Sequence, residues 1–119
     1  MIFDEVVEKL VNEVSGGIAA MIMGIDGIAL AAYNDENNPV DLEIMGVEYA
    51  NLLSDVSKTS DTIGSGKLNE MTLLSDKYCV VMKQINPEYF MALILQPNGN
   101  LGKGRFLMRL NSSKVLKEM

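Results

Sequence analysis

Between Gly17 and Gly24 the chain runs Ile-Ala-Ala-Met-Ile-Met, six residues without one polar side chain. Successive side chains of a strand point to opposite faces, so a run that is apolar at both parities must be covered on both sides. The run is too short for a helix of ordinary length and is closed by glycine at each end, which predicts a strand well inside a sheet. Such a strand needs neighbours at both edges and helices above and below. The rest of the chain must supply them.

It does so in a simple order. Residues 2–14 carry Phe3, Val6, Val7, Leu10 and Val14 at three- and four-residue spacing opposite Glu5, Glu8, Lys9, Asn12 and Glu13, which predicts an amphipathic helix ended by Gly16-Gly17. Asp26-Gly27 predicts a two-residue hairpin turn with positive φ at both positions, and Ile28–Tyr33 the returning strand. After the polar loop Asn34–Pro39, a long helix is expected from Asp41, its N-cap, to about Ile63, with Leu42, Met45, Tyr49, Leu52, Val56 and Ile63 as the core stripe and Leu53 beside it. Gly64-Ser65-Gly66 stops it. Strands over 70–75, 78–85 and 89–96 follow, joined by tight turns, and Pro97-Asn98-Gly99-Asn100 breaks the chain before a closing helix over 101–117. That helix sets Leu101, Gly104, Met108, Val115 and Met119 along one side. The order α-β-β-α-β-β-β-α, with hairpin connections, predicts a single α+β domain over 1–119: a five-stranded antiparallel sheet with helices on both faces.

Absent residues limit the chemistry. The 119 residues contain no histidine and one cysteine, Cys79, which removes Ser-His-Asp and Cys-His catalysis, histidine metal sites and any internal disulfide. Lone cysteine usage fits a reducing compartment, the N-terminal acids do not fit a signal peptide, and no apolar run approaches membrane-spanning length, so a cytoplasmic protein without membrane insertion is expected. The net charge of −6 disfavours nucleic acid. Charge is unevenly placed: residues 1–63 carry −10 and residues 64–119 carry +4, a polarity suited to steering a partner.

Local motifs give no active site. Gly64-Ser65-Gly66-Lys67 follows a helix instead of opening one and lacks the spacing of a phosphate loop, so it is a connector. Gly99, Gly102 and Gly104 have the wrong order for a dinucleotide fingerprint and suit close helix packing. Cys79 sits in an apolar strand as a small hydrophobe. Asp35-Glu36 and Asp41-Glu43 lie in a loop and at a helix start with no neighbouring base or ligand. No metal or cofactor is expected, and the chain is expected not to be an enzyme.

Two surface features are harder to explain as solvated exterior. Placed at 100° per residue, Ile44, Val47, Asn51, Ser54 and Lys58 fall opposite the core stripe of the long helix. Beside them Gly46, Ala50 and Ser57 form a row of small residues that would let a second helix approach, compensating a glycine that costs about 1 kcal/mol in a helix. The strand 70–75 carries Met71, Leu73 and Leu74 with little charge protection, as an edge that invites a second strand. Together they predict a homodimer through Gly46, Ala50, Ser57, Met71, Leu73 and Leu74, and a partner-binding patch of Ile44 and Val47 within Asn51, Ser54 and Lys58.

The stretch GGIAAMIMGIDGIALAAY, the long helix, the three-strand meander and the helix opening NLGKGRFLMRL resemble the roadblock family, named for a dynein light chain, over nearly the whole chain. The resemblance implies a roadblock/profilin-like layered fold and homodimers whose edge strands join into one continuous sheet with the long helices side by side. Among family members the chain looks most like the MglB-type regulators, which stimulate GTP hydrolysis by a small Ras-like GTPase, MglA, without an arginine finger. On that resemblance the dimer strand is 70–75 and the partner-facing helix 41–63. The only arginines, Arg105 and Arg109, fall on the closing helix, as exposed bases away from that face. A dimeric adaptor that tethers proteins without affecting hydrolysis is the alternative. A small-molecule sensor is disfavoured by the scarcity of ionisable residues in the expected core.

Overall fold

The computed structural model describes residues 2–37 and 39–119; Met1, and Asn38 in the expected polar loop, lie outside them. The order is α1 (Ile2–Glu13), β1 (Gly17–Gly24), β2 (Ala29–Asn34), α2 (Leu42–Thr62), β3 (Glu70–Leu74), β4 (Cys79–Gln84), β5 (Tyr89–Leu95) and α3 (Leu101–Lys117). The strands form one sheet in the order β2-β1-β5-β4-β3, every neighbouring pair antiparallel. β1 lies between β2 and β5, with Ile18–Met23 fully buried, as its two-sided apolar pattern requires. β2 and β3 are the edges.

Two cores share this sheet. On one face α1 and α3 pack Val7, Leu10, Met108 and Val115 against Ile22, Val81 and Leu93. On the other α2 packs Ala50 and Leu53 against Met21, Met82, Phe90 and Ile94. Burial of this kind contributes roughly 1.5–3 kcal/mol for each large side chain.

Local signals set the element ends. Asp41 caps α2, its Oδ1 accepting from the Ile44 N–H at 3.1 Å, and Asn100 caps α3 by accepting from the Lys103 N–H at 3.1 Å. The β1–β2 connection differs from the expected two-residue turn. Gly24 and Ile28 close the ladder through Gly24 N–H to Ile28 O, so the loop is Ile25-Asp26-Gly27. Gly27 donates back to Gly24 O and alone takes positive φ, +89°, while Asp26 Oδ1 accepts from the Ile28 N–H at 3.0 Å. Aspartate thereby serves as a hydrogen-bond acceptor in the turn and leaves the left-handed position to glycine. A bulge between Ile22 and Met23 then shifts the register of β2.

The stripe by which α2 meets the sheet also differs from expectation. Its fully buried residues are Gly46, Ala50 and Leu53; Leu42, Met45, Tyr49 and Leu52 are half-buried flanks, and Ile63, past the last turn, is exposed. The helix therefore lies with its smallest residues against the sheet and its larger side chains astride them. Gly46 is where it comes closest: a Cβ there would overlap Met23 Cε and stand 2.7 Å from Met23 Sδ and 3.4 Å from Met21 Sδ.

Candidate functional site: the outer face of α2 and the β3 edge

The 21 residues of α2 alternate between contact with the sheet and contact with water. Ile44 is 63% exposed and Val47 45% exposed, Asn51 and Lys58 are exposed or partly so, and Ser54 is half-buried. The expected patch is thus on the outward side. Val47 reaches over the β1–β2 loop, its Cγ2 3.4 Å from where a Gly27 Cβ would stand. That loop adds Ile25 and Ile28, both exposed, so the apolar surface continues from the helix onto the hairpin. Sequence periodicity missed these two because it assigns a face only within one element. Farther along α2, Ser54, Ser57 and Lys58 line a cleft of about 500 Å³ whose other wall comes from Lys67, Leu68 and Gln84.

The small-residue row does not stand on the outer face. Gly46 and Ala50 are buried against the protein's own sheet, and only Ser57 is half-exposed, at the cleft. At Gly46 the Met21 and Met23 side chains beneath leave no room for a Cβ, and Ala50 is buried in the same core, so both are corrected from dimer-contact residues to packing residues.

β3 is at the sheet edge, hydrogen-bonded along one side by β4. Met71 and Leu73 are half-buried toward α2, whereas Leu74 is exposed. Thr72 is exposed as well. An edge of this kind leaves a row of main-chain donors and acceptors free to pair.

Arg105 and Arg109 are not simply exposed bases, as expected, but share one carboxylate on this strand. Arg105 donates from Nε (3.0 Å) and Nη2 (2.6 Å) to Glu70 Oε1; Arg109 donates from Nε to Oε2 (3.0 Å) and from Nη2 to Oε1 (3.1 Å). Hydrogen bonds from Arg109 and then Arg105 hold the Glu70 carboxyl down at about 2, and the same contact raises Arg109. The four-residue spacing of the arginines was visible in the sequence; their partner, 35 and 39 residues away, was not.

Other groups show ordinary structural roles. Burial pushes the Cys79 thiol up, which lowers its thiolate fraction and its nucleophilicity. Burial, reinforced by Tyr78, raises Tyr49 on the flank of α2. Among the described residues no cluster of His, Cys, Asp or Glu is placed to hold a metal, and no helix is long and apolar enough to cross a membrane.

A five-stranded antiparallel sheet between one long helix and a pair of terminal helices defines a roadblock-type α+β domain. MglC from Myxococcus xanthus is similar over 100% of both chains at 37% identity, with a TM-score of 0.73. A Roadblock/LC7 domain from Streptomyces avermitilis matches 94% of this chain and 92% of its own at 15% identity and a TM-score of 0.84. The gliding protein MglB from Thermus thermophilus matches 99% and 90% at 16% identity and a TM-score of 0.86. No protein-family model and no curated protein matches. The chain belongs to the roadblock family, with its sequence likeness to MglC; the likeness to MglB is one of fold.

Proposed function

We propose that the protein is a cytoplasmic, homodimeric, non-enzymatic regulator that binds a small MglA-like Ras-type GTPase and stimulates its GTP hydrolysis. The observation that carries this reading is the outward apolar patch of Ile44 and Val47, continued by Ile25 and Ile28 and bordered by Asn51 and Lys58. An apolar centre within a polar rim is the usual anatomy of a docking surface. The free β3 edge, with Met71 and Leu73 half-buried beside it, supports pairing of two copies. Two copies joined there would present both α2 helices on one side.

The chemistry would remain with the GTPase. Stimulation would come from fixing the GTPase's own loops, because both arginines are engaged by Glu70 on the sheet face opposite α2. That same engagement favours a second reading, a dimeric adaptor that tethers without changing hydrolysis.

Single-turnover GTP hydrolysis by an MglA-type GTPase, with and without this protein, separates the two readings. Ile44→Glu with Val47→Glu is expected to abolish binding and any stimulation while circular dichroism and dimer mass stay unchanged. Retained binding would refute the docking surface; loss of dimer mass would place these residues against the second copy. Binding with an unchanged rate would leave the adaptor reading.

A further inference from the structure

The outer face of α3 lies on the other side of the sheet from the proposed docking helix and combines two properties that neither α1 nor α2 has together. It carries five basic residues, Lys103, Arg105, Arg109, Lys114 and Lys117, and no acid. It also exposes large apolar groups: Phe106 is 61% and Leu110 48% exposed. Gly104, Met108, Asn111 and Val115 face the core, which sets Phe106 at 100° per residue almost directly opposite them, with Lys103, Arg109, Leu110 and Lys117 around it. An exposed phenylalanine at the centre of a basic ring has no role in the core it turns away from.

The protein neutralises little of this charge itself. Glu70 is the one carboxylate in an ion pair with α3 among the described residues, and it serves Arg105 and Arg109 together. Its cross-strand partner is a further cation, Lys83. Lys103, Lys114 and Lys117 form no ion pair among the described residues.

The shape of the surrounding charge narrows what could lie on this face. α1 packs beside α3 on the same side of the sheet and presents Asp4, Glu5, Glu8 and Glu13. A flat anionic surface laid on α3 would meet those acids as well. A narrow acidic segment running along α3 would avoid them, pair with the lysines and cover Phe106 and Leu110. We propose that the outer face of α3 is a docking surface for an acidic amphipathic segment of a partner protein. Phe106 is the apolar anchor, and Lys103, Lys114 and Lys117, which form no ion pair among the described residues, read the acidic side. Opposite charge would speed encounter and fix orientation, and the aromatic group would supply the buried contact.

The test uses the full chain, labelled with ¹⁵N, and a synthetic amphipathic peptide of about 18 residues, long enough for several helical turns, with glutamates on one face and leucines on the other. The same peptide with lysine for every glutamate is the control, and vesicles containing phosphatidylserine form a third arm. The acidic peptide is expected to shift amides of residues 102–117, to bind more weakly as salt rises through about 0.1 M, and to lose affinity at least about tenfold with Phe106→Ser or with Lys103→Glu plus Lys117→Glu. The wild-type shift map stands even if a variant folds poorly. No shift on α3 at millimolar peptide would overturn the proposal, as would equal binding of the lysine peptide or unchanged binding by the folded variants. Binding of the vesicles in place of the peptide would overturn it too and assign the face to a lipid surface.

Discussion

Replacing Gly46 by alanine tests how α2 sits on the sheet, because two opposed contributions meet at one atom. Alanine is favoured over glycine inside a helix by about 1 kcal/mol. The added Cβ would overlap Met23 Cε and stand 2.7 Å from Met23 Sδ, so the tip of Met23 must move within a core where that residue is almost fully buried. Displacing a packed side chain costs about 1–3 kcal/mol, toward the lower end for a flexible thioether. Gly46→Ala is therefore expected to be neutral or destabilising by about 1 kcal/mol. In a Met23→Ala background, itself destabilised by about 2–5 kcal/mol, the obstruction is gone. There the same substitution should recover the full helix gain of about 1 kcal/mol. The double-mutant cycle should thus give a coupling of about 1–2 kcal/mol. Equilibrium urea unfolding at one fixed protein concentration measures it, since association would add a concentration-dependent contribution. Equal stabilisation by Gly46→Ala in both backgrounds would refute the contact with Met23.

Leu73→Lys on the free edge is expected to weaken dimerisation, read by sedimentation equilibrium; a wild type that is monomeric at tens of micromolar, roughly the range of a weak affinity, would refute the dimer itself. Glu70 is held at about 2 against an ordinary 4.5, so its ion cluster contributes stability in full above pH 4.5, and that contribution falls away as pH drops toward 2. Glu70→Gln should remove this part of the acid dependence of thermal unfolding, and an unchanged acid limb would show the cluster to be open in solution. Arg105→Ala with Arg109→Ala should leave any stimulated GTP hydrolysis within a few-fold of wild type, about 1 kcal/mol in barrier. A hundredfold loss with binding intact would mean that one arginine reaches the phosphates.

The elements and their order follow from local pattern. Two-sided apolarity placed β1 inside the sheet, three- and four-residue spacing gave α1, and Asp41 and Asn100 marked the starts of the two later helices by side-chain chemistry that acts within a few residues. The outward position of Ile44 and Val47 was legible too, because rotation by 100° per residue fixes opposite faces of a helix whatever lies beneath it. What the pattern misplaced was the line of α2 that touches the sheet. Hydrophobicity favoured Leu42, Met45, Tyr49 and Leu52, but the line that meets the sheet is Gly46, Ala50 and Leu53, with no room for a side chain at Gly46 above Met21 and Met23, and that constraint exists only once the sheet is assembled. Likewise Arg105 and Arg109 read as solvated bases until the fold carries Glu70 on β3 to within hydrogen-bond distance of both. Periodicity is a property of one segment, whereas steric fit and charge pairing depend on neighbours that the sequence places far away, so the tertiary structure alone decides them.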